Sequence, residues 1–313
     1  VLLAPLSIAY GTGVWLRGRL YDAGLLRTEP LALPALSVGN LTVGGTGKTP
    51  VAAWMAARLA AGGARPAIVL RGYGSDEPLV HRELNPGIPV IVSPDRVQGV
   101  ARAAAMGATV AVLDDAFQHR RARRDVDVVL VNADRWRASR RLLPAGPWRE
   151  PLGALGRGTL ALVTRRAVSR VEAGAVGVEL GRVAPHVPVV FGVLALGDLT
   201  RVDTGERTPL GALAGARVYV VAGIGDPRAL EAQLAAAGAS VTMRAFGDHH
   251  RFTAADVAAI ARDGRASDFV LCTLKDAVKL RALWTRALPP LWYVSQQFGV
   301  ESGEPALQAL LAE

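Results

Sequence analysis

The sequence predicts an α/β protein built on a doubly wound, mainly parallel sheet. Three observations carry this: short unbroken Val/Ile/Leu runs, alanine-rich stretches between them, and glycine where one gives way to the next. A strand buried on both faces shows no polar alternation, so continuous apolar runs that alternate with helical stretches point to parallel strands covered by helices. At 313 residues, half of them apolar, the chain can form one large α/β domain or two smaller ones.

The chain opens with "VLLAPLSIAYGTGVWL", uncharged from Val1 to Leu16, before Arg17, Arg19 and Asp22. Val1 is not an initiator Met, so the true start is expected upstream. The run is shorter than the roughly 20 residues a spanning helix needs. It has neither the basic start nor the small-residue cleavage site of a signal peptide. Pro5, Gly11 and Gly13 are expected to interrupt any long helix here. Two readings stay open. One is a packing segment; the other is an interfacial anchor, with Tyr10 and Trp15 in a bilayer and Arg17 and Arg19 among headgroups.

Strands are expected at 35–39, 67–70, 88–93, 109–113, 126–131, 160–164, 187–196, 217–223, 240–246, 268–274 and 291–296. Helices are expected at 48–62, 96–106, 227–237, 254–264 and 305–312. The stretch 144–160, "LPAGPWREPLGALGRG", has no period and reads as a linker or functional loop. The expected organisation is an N-terminal segment at 1–25, a nucleotide-binding core at 26–160 and a smaller C-terminal α/β part at 161–313.

Net charge is +9, from 36 Lys+Arg against 27 Asp+Glu, which favours an anionic partner. Only Lys48, Lys275 and Lys279 are lysines. The one cysteine, Cys272, lies in the apolar run "DFVLCTL" and reads as a small buried hydrophobe. A single cysteine excludes a disulfide framework, which suits a reducing compartment.

The strongest local signal is "SVGNLTVGGTGKTP". A strand runs into Thr42-Val43-Gly44-Gly45-Thr46-Gly47-Lys48-Thr49, and a helix follows. That strand, glycine loop and helix form the context a P-loop requires. Glycines let successive N–H groups face one concavity, and the helix N-terminus adds its positive end. Lys48 can reach the β- and γ-phosphates, and the Thr49 hydroxyl can reach Mg²⁺. Thr42 stands where the usual pattern opens with glycine. A carboxylate partner for the metal comes from "TVAVLDDAFQHRRARRDVD", where Asp114 and Asp115 end a buried strand. The arginines from Arg120 to Arg124 read either as a solvated face or as a phosphate contact.

The motifs "SVGNLTVGGTGKTP", "LRGYG", "SDEP", "LDDAFQHRRARRDVD", "LPAGPWREP", "AGIGDP", "FGDHHRF" and "TLKDAVKL" together resemble tetraacyldisaccharide 4′-kinase, the lipid A kinase of Gram-negative bacteria. The resemblance runs from the N-terminal segment to about Leu280. It implies a P-loop NTPase-like fold, with ATP and Mg²⁺ used to phosphorylate the 4′-hydroxyl of a glycolipid, tetraacyldisaccharide 1-phosphate. It also implies that the N-terminal segment is membrane-associated, placing the protein peripherally at the cytoplasmic face of the inner membrane. Residue by residue, it assigns Thr42, Gly44, Gly45, Thr46, Gly47, Lys48 and Thr49 to nucleotide. It gives Thr49, Asp114 and Asp115 to the metal, Asp76 to the catalytic base and His249 to its partner. Gln118 and His119 match the family's Gln-His, and Arg71, Arg120 and Arg149 are candidates for a substrate phosphate.

Three departures stand out. Only Ser75 separates Gly74 from Asp76, where the family carries a longer segment. Ala116 follows the aspartate pair in place of glycine, which implies either a backbone with φ below zero there or a mildly strained one. Asp226 stands where the family carries Asn, which adds negative charge near the presumed substrate region and is neutral if Asp226 caps the next helix. Other function classes are less well served. "TLKD" has the wrong spacing for a guanine motif. Few aromatics lie among the arginines, so a nucleic-acid partner is not expected. The shortened segment leaves one alternative, a degenerate homologue that binds nucleotide or lipid without turnover.

Overall fold

The structure, a computed structural model, describes residues 3–72 and 76–312. Gly74 and Ser75, and with them the shortened segment, lie outside the described residues. The first half of the chain carries α1 (Ala4–Asp22), β1 (Ala35–Asn40), α2 (Lys48–Ala61), β2 (Pro66–Leu70), α3 (Glu77–Leu84), β3 (Val90–Val92), α4 (Arg96–Ala105), β4 (Val110–Asp114) and β5 (Val126–Asn132). Next come β6 (Leu160–Arg165), α5 (Arg170–Val183), β7 (Val189–Arg201), β8 (Arg207–Thr208), β9 (Arg217–Ala222) and α6 (Pro227–Ala236). The chain closes with β10 (Ser240–Ala245), α7 (Ala254–Asp263), β11 (Phe269–Thr273), α8 (Leu274–Leu280), β12 (Leu291–Ser302) and α9 (Glu304–Ala312).

Two compact units result. The first holds residues 1–72, 81–193 and 298–313, and the second 73–80 and 194–297. The division therefore falls near residue 194, not at 160. The physical reason is register: β6 pairs in parallel with β5, from Val128 opposite Leu160 to Asn132 opposite Thr164, and so continues the N-terminal sheet. The helix α5 covers that extension, burying Ala173, Val176 and Leu180 in one cluster with Val129, Val131, Ala161 and Val163.

In the first unit the strand order is β7-β6-β5-β1-β4-β2-β3, and every pair is parallel. All six residues of β1 are buried, as its unbroken apolar run requires. Flanked by β4 and β5, β1 delivers the glycine loop at its carboxyl end, where open α/β sheets bind ligands. In the second unit β10-β9-β11-β12 run parallel. Their core gathers Tyr219, Val221, Val270 and Cys272 with Ile260 of α7 and Ala277 of α8.

The N-terminal segment departs from the sequence expectation. Ala4–Asp22 is one 19-residue helix. Pro5 sits in its first turn, where the missing N–H has no helical partner to lose. Gly11 is a packing residue, since a Cβ there would lie 2.8 Å from Leu142 Cδ1. Helix α1 docks by one face: Ser7 Oγ donates to Leu142 O (2.7 Å), Tyr10 Oη to Arg149 O (3.0 Å) and Arg17 to Gln118 O (3.0 Å). Elsewhere on its surface α1 leaves Leu6, Ile8 and Trp15 57%, 71% and 64% exposed. Among the described residues no helix is long and apolar enough to cross a membrane.

Besides α1, three helices among the described residues escaped the periodicity reading. Two of them, α3 and α8, are short, at eight and seven residues. The third, α5, starts from a capping box of Ser169 and Glu172 that follows an arginine-rich stretch without apolar period.

Candidate active site

The glycine loop has the backbone that its sequence demands. Gly44 and Gly47 have φ of +99° and +90°, the left-handed region that favours glycine. The Thr46 N–H donates to Gly44 O at 2.9 Å, and Val51 N–H to Gly47 O starts α2 at 3.2 Å. Thr46 turns its side chain inward. Its Oγ1 accepts from Asn40 Nδ2 at 2.8 Å, and its carbonyl accepts from Thr164 Oγ1 at 3.3 Å. The Thr46 side chain and carbonyl thus tie the loop to β1 and β6. The other limb of the loop is held by Val43 N–H to Pro147 O at 2.7 Å, and by Thr42 bridging Trp148. Lys48 and Thr49 open α2. Arg135, which the sequence reading missed, brings a guanidinium nitrogen to 3.1 Å from where a Cβ of Gly44 would stand.

The two adjacent aspartates part company at the end of β4. Asp114 is the last strand residue, while Asp115 takes φ +54° and donates its N–H to Val38 O at 2.9 Å. The positive φ falls on Asp115 rather than Ala116, which fits the alanine. Asp115 Oδ1 lies 3.7 Å from Lys48 Nζ and 2.7 Å from Arg149 Nη1. Burial pushes its carboxyl up, but Lys48 and Arg149 outweigh burial and hold it below the usual carboxylate range. The buried Asp114 meets His81 Nε2 at 2.9 Å through Oδ2. Its Oδ1 is buried without a hydrogen-bond partner.

An orphaned buried carboxylate oxygen needs a water or a cation. Mg²⁺ is often bound by only one or two carboxylates and keeps several waters. The orphaned oxygen of Asp114 therefore fits a metal ligand, even though the described residues hold no cluster of three metal-ligating groups. His81 orients Asp114 as an outer partner. Sequence reading could not find it, because it stands 33 positions away on α3.

The remaining expected substrate residues are placed as follows. Gln118 donates through Nε2 to Asn40 O (2.9 Å) and accepts from Arg149 through Oε1 (3.3 Å), so its amide pins the end of β1. Arg120 binds Gly18 O and Asp22 and lies over the Tyr21 ring, which assigns it to the docking of α1. Arg149 is engaged with Asp115. Arg71 is exposed just past β2.

His119 is electrostatically marked. Burial first, then the nearby Arg96 and Arg124, lower its pKa to about 4, and its Nε2 has no hydrogen-bond partner. His119 is therefore neutral at physiological pH. The sign follows: an unfolded histidine titrates near 6.5, so this stability is fully present above that pH and is lost as pH falls towards about 4. An NMR titration of the folded protein is expected to put the His119 midpoint below 5, and a His119 midpoint near 6.5 would contradict the burial reading.

The second unit contains the other expected pair. Asp76, 2% exposed, precedes α3. Its Oδ1 accepts from Glu77 N–H at 3.1 Å, and its carbonyl accepts from Val80 N–H at 2.9 Å. His249 Nδ1 lies 3.0 and 3.2 Å from the two carboxyl oxygens. His249 itself has φ +58°. Lys279 Nζ stands 3.7 Å from Asp76 Oδ2 and 3.0 Å from Asp276 Oδ1. The carboxylate of Asp226 does cap α6, accepting from Ala229 N–H at 3.3 Å. A buried carboxylate held by histidine can accept a proton. A glycine loop with a lysine and a metal-competent aspartate can hold a triphosphate.

Comparison with known proteins bears on both halves. The model of a family described as tetraacyldisaccharide-1-P 4′-kinase, LpxK, matches residues 1–78 and 75–313, two stretches that meet around Asp76. The tetraacyldisaccharide 4′-kinase of Syntrophus aciditrophicus is 36% identical over 326 residues, covering 92% of this chain and 86% of its own. That of Anaeromyxobacter dehalogenans strain 2CP-1 is 40% identical over 310 residues, covering 88% and 81%. Among solved structures, LpxK from Aquifex aeolicus in complex with ATP superposes with a TM-score of 0.76 at 27% identity, covering 99% of this chain and 97% of the other.

Proposed function

The chain belongs to the tetraacyldisaccharide 4′-kinase family, and from that premise we propose the role of each residue in its reaction. The protein is an ATP-dependent kinase that phosphorylates the 4′-hydroxyl of tetraacyldisaccharide 1-phosphate in lipid A biosynthesis. The alternative, a homologue without turnover, finds no support among its relatives, which carry the kinase name. The observation that most supports the residue roles is the meeting of Lys48 and Asp115 beside a glycine loop in phosphate-binding geometry.

The loop N–H groups and Lys48 bind the triphosphate and neutralise charge on it. Lys48 has a carboxylate partner at 3.7 Å, so incoming phosphate oxygens exchange one anion for another at its ammonium. Thr49 and Asp114 are the residues that would hold Mg²⁺, which when bound neutralises phosphate charge. Asp115, which the resemblance also gives to the metal, is instead paired with Lys48 and Arg149, and in this reading it keeps them aligned. Asp76 accepts the proton of the sugar 4′-hydroxyl as its oxygen bonds to the γ-phosphorus, and the bond from that phosphorus to the leaving ADP oxygen breaks. His249 orients Asp76. ATP consumption that requires added lipid acceptor tests this reading, and consumption independent of acceptor would sink it. Thr49→Ala is expected to raise the Mg²⁺ concentration needed for half-maximal rate, and an unchanged requirement would remove Thr49 from the metal.

The acceptor is a glycolipid, and the exposed face of α1 suits a membrane surface. Ile8 and Trp15, on one side of α1, are the apolar groups that would enter the bilayer, with Arg19 nearby for anionic headgroups. The location that goes with this proposal is peripheral, at the cytoplasmic face of the bacterial inner membrane. Removing residues 1–16 is expected to release the protein from anionic liposomes, most completely at raised salt, where the remaining charge attraction is screened. Unchanged co-sedimentation of the truncated protein would put the anchor elsewhere.

A further inference from the structure

Of the 36 cationic residues only three are lysine, at 48, 275 and 279. Lys48 is the lysine of the glycine loop. The other two lie four positions apart on α8, in "TLKDAVKL", and the roles assigned above use neither. Arginine, with its planar fork, serves almost everywhere else in this chain. Lysine differs in offering a compact ammonium as a point charge.

Both lysines touch the Asp76–His249 pair. Lys275 Nζ lies 3.3 Å from His249 Nε2 and 2.7 Å from Asp248 Oδ1. An ammonium has donors only, so at Nε2 the ring must accept. The ring proton then belongs on Nδ1, which faces Asp76 Oδ1 at 3.0 Å. Asp248 does not reverse this, because its Oδ2 is 3.9 Å from Nε2 and its other oxygen binds Lys275. Lys279 acts on the far side of Asp76, between its Oδ2 and Asp276 Oδ1. Asp276 is itself fixed by Gly223 N–H (3.0 Å) and Thr273 Oγ1 (2.7 Å). The carboxylate of Asp76 is thus met by His249 Nδ1 at 3.0 and 3.2 Å from its two oxygens and flanked at Oδ2 by an ammonium.

We propose that Lys275 and Lys279 are positioning residues for Asp76: Lys275 fixes His249 as the Nδ1–H tautomer, and Lys279 balances the paired charges of Asp76 and Asp276. The proposal rests on the reading of Asp76 as the base. It adds a consequence. Protonating His249 at Nε2 would set a second cation 3.3 Å from Lys275, so the hydroxyl proton stays on Asp76 and is not passed along the ring.

The test is long-range 15N NMR on the full chain labelled at its five histidines, with His249 assigned by its loss in His249→Gln. The unmodified protein is expected to show His249 protonated at Nδ1 and bare at Nε2. Lys275→Met is expected to move the ring towards the Nε2–H form and to lower kcat about 10- to 100-fold, with KM for ATP unchanged. Lys279→Met is expected to lower kcat while the tautomer stays. An Nε2–H tautomer in the unmodified protein would overturn the proposal without any variant, as would an unaltered tautomer and kcat in Lys275→Met. A fully active Asp76→Asn would overturn it by a different route, through its premise.

Discussion

Lys48→Ala is expected to abolish phosphoryl transfer, with a loss of at least about 10³-fold. The loop amides alone cannot neutralise the charge that spreads over the transferring group. The structure adds a second effect. Asp115 is balanced by Lys48 at 3.7 Å and Arg149 at 2.7 Å, and removing one cation leaves the carboxylate biased towards Arg149. Lys48→Arg is not expected to rescue the rate, since a planar fork does not replace a point charge in a narrow loop. Steady-state turnover and ATP binding measured together decide the matter. Near-normal turnover in Lys48→Ala would refute the nucleotide-loop assignment.

Asp76→Asn is expected to cost about 10²- to 10⁴-fold in turnover while ATP affinity barely moves. The amide keeps the shape and can still meet His249, but it cannot take the hydroxyl proton. His249→Ala is expected to cost less. Combined with Asp76→Ala it should cost little more than Asp76→Ala alone, because residues that act as one unit are non-additive. The burial of Asp76 and its 3.0 Å contact to His249 favour this outcome over a simple turn residue. A fully active Asp76→Asn would shift the base to Asp114 or Asp115.

The glycine loop was legible in the sequence because its chemistry is local. The N–H concavity, the left-handed glycines and the lysine at the head of a helix all lie within eight consecutive residues. The parallel sheet was legible for a similar reason, since strands buried on both faces are apolar throughout. Asp76 was visible only through family resemblance. Its neighbours Glu77 and Pro78 suggest a turn, yet they open a helix, because proline is tolerated in a first turn. His81, Lys275 and Lys279 were not legible as site residues. Each acquires its meaning from a partner brought close by the fold, such as Asp76 beside a lysine more than 200 positions later. The continuity of α1 was misread because Gly11 looks like a breaker in sequence and is a contact surface in space. The domain boundary was misplaced because the aperiodic 144–160 stretch looks like a linker. Its Trp148 and Leu155 are in fact buried in the core that β5 and β6 share.

The most direct test is phosphoryl transfer from ATP labelled at the γ-phosphate to tetraacyldisaccharide 1-phosphate in detergent micelles. Label is expected to move to the lipid at the 4′-position, in strict dependence on ATP, on Mg²⁺ and on Lys48 and Asp76. Binding of ATP and lipid without any transfer of label would contradict the account.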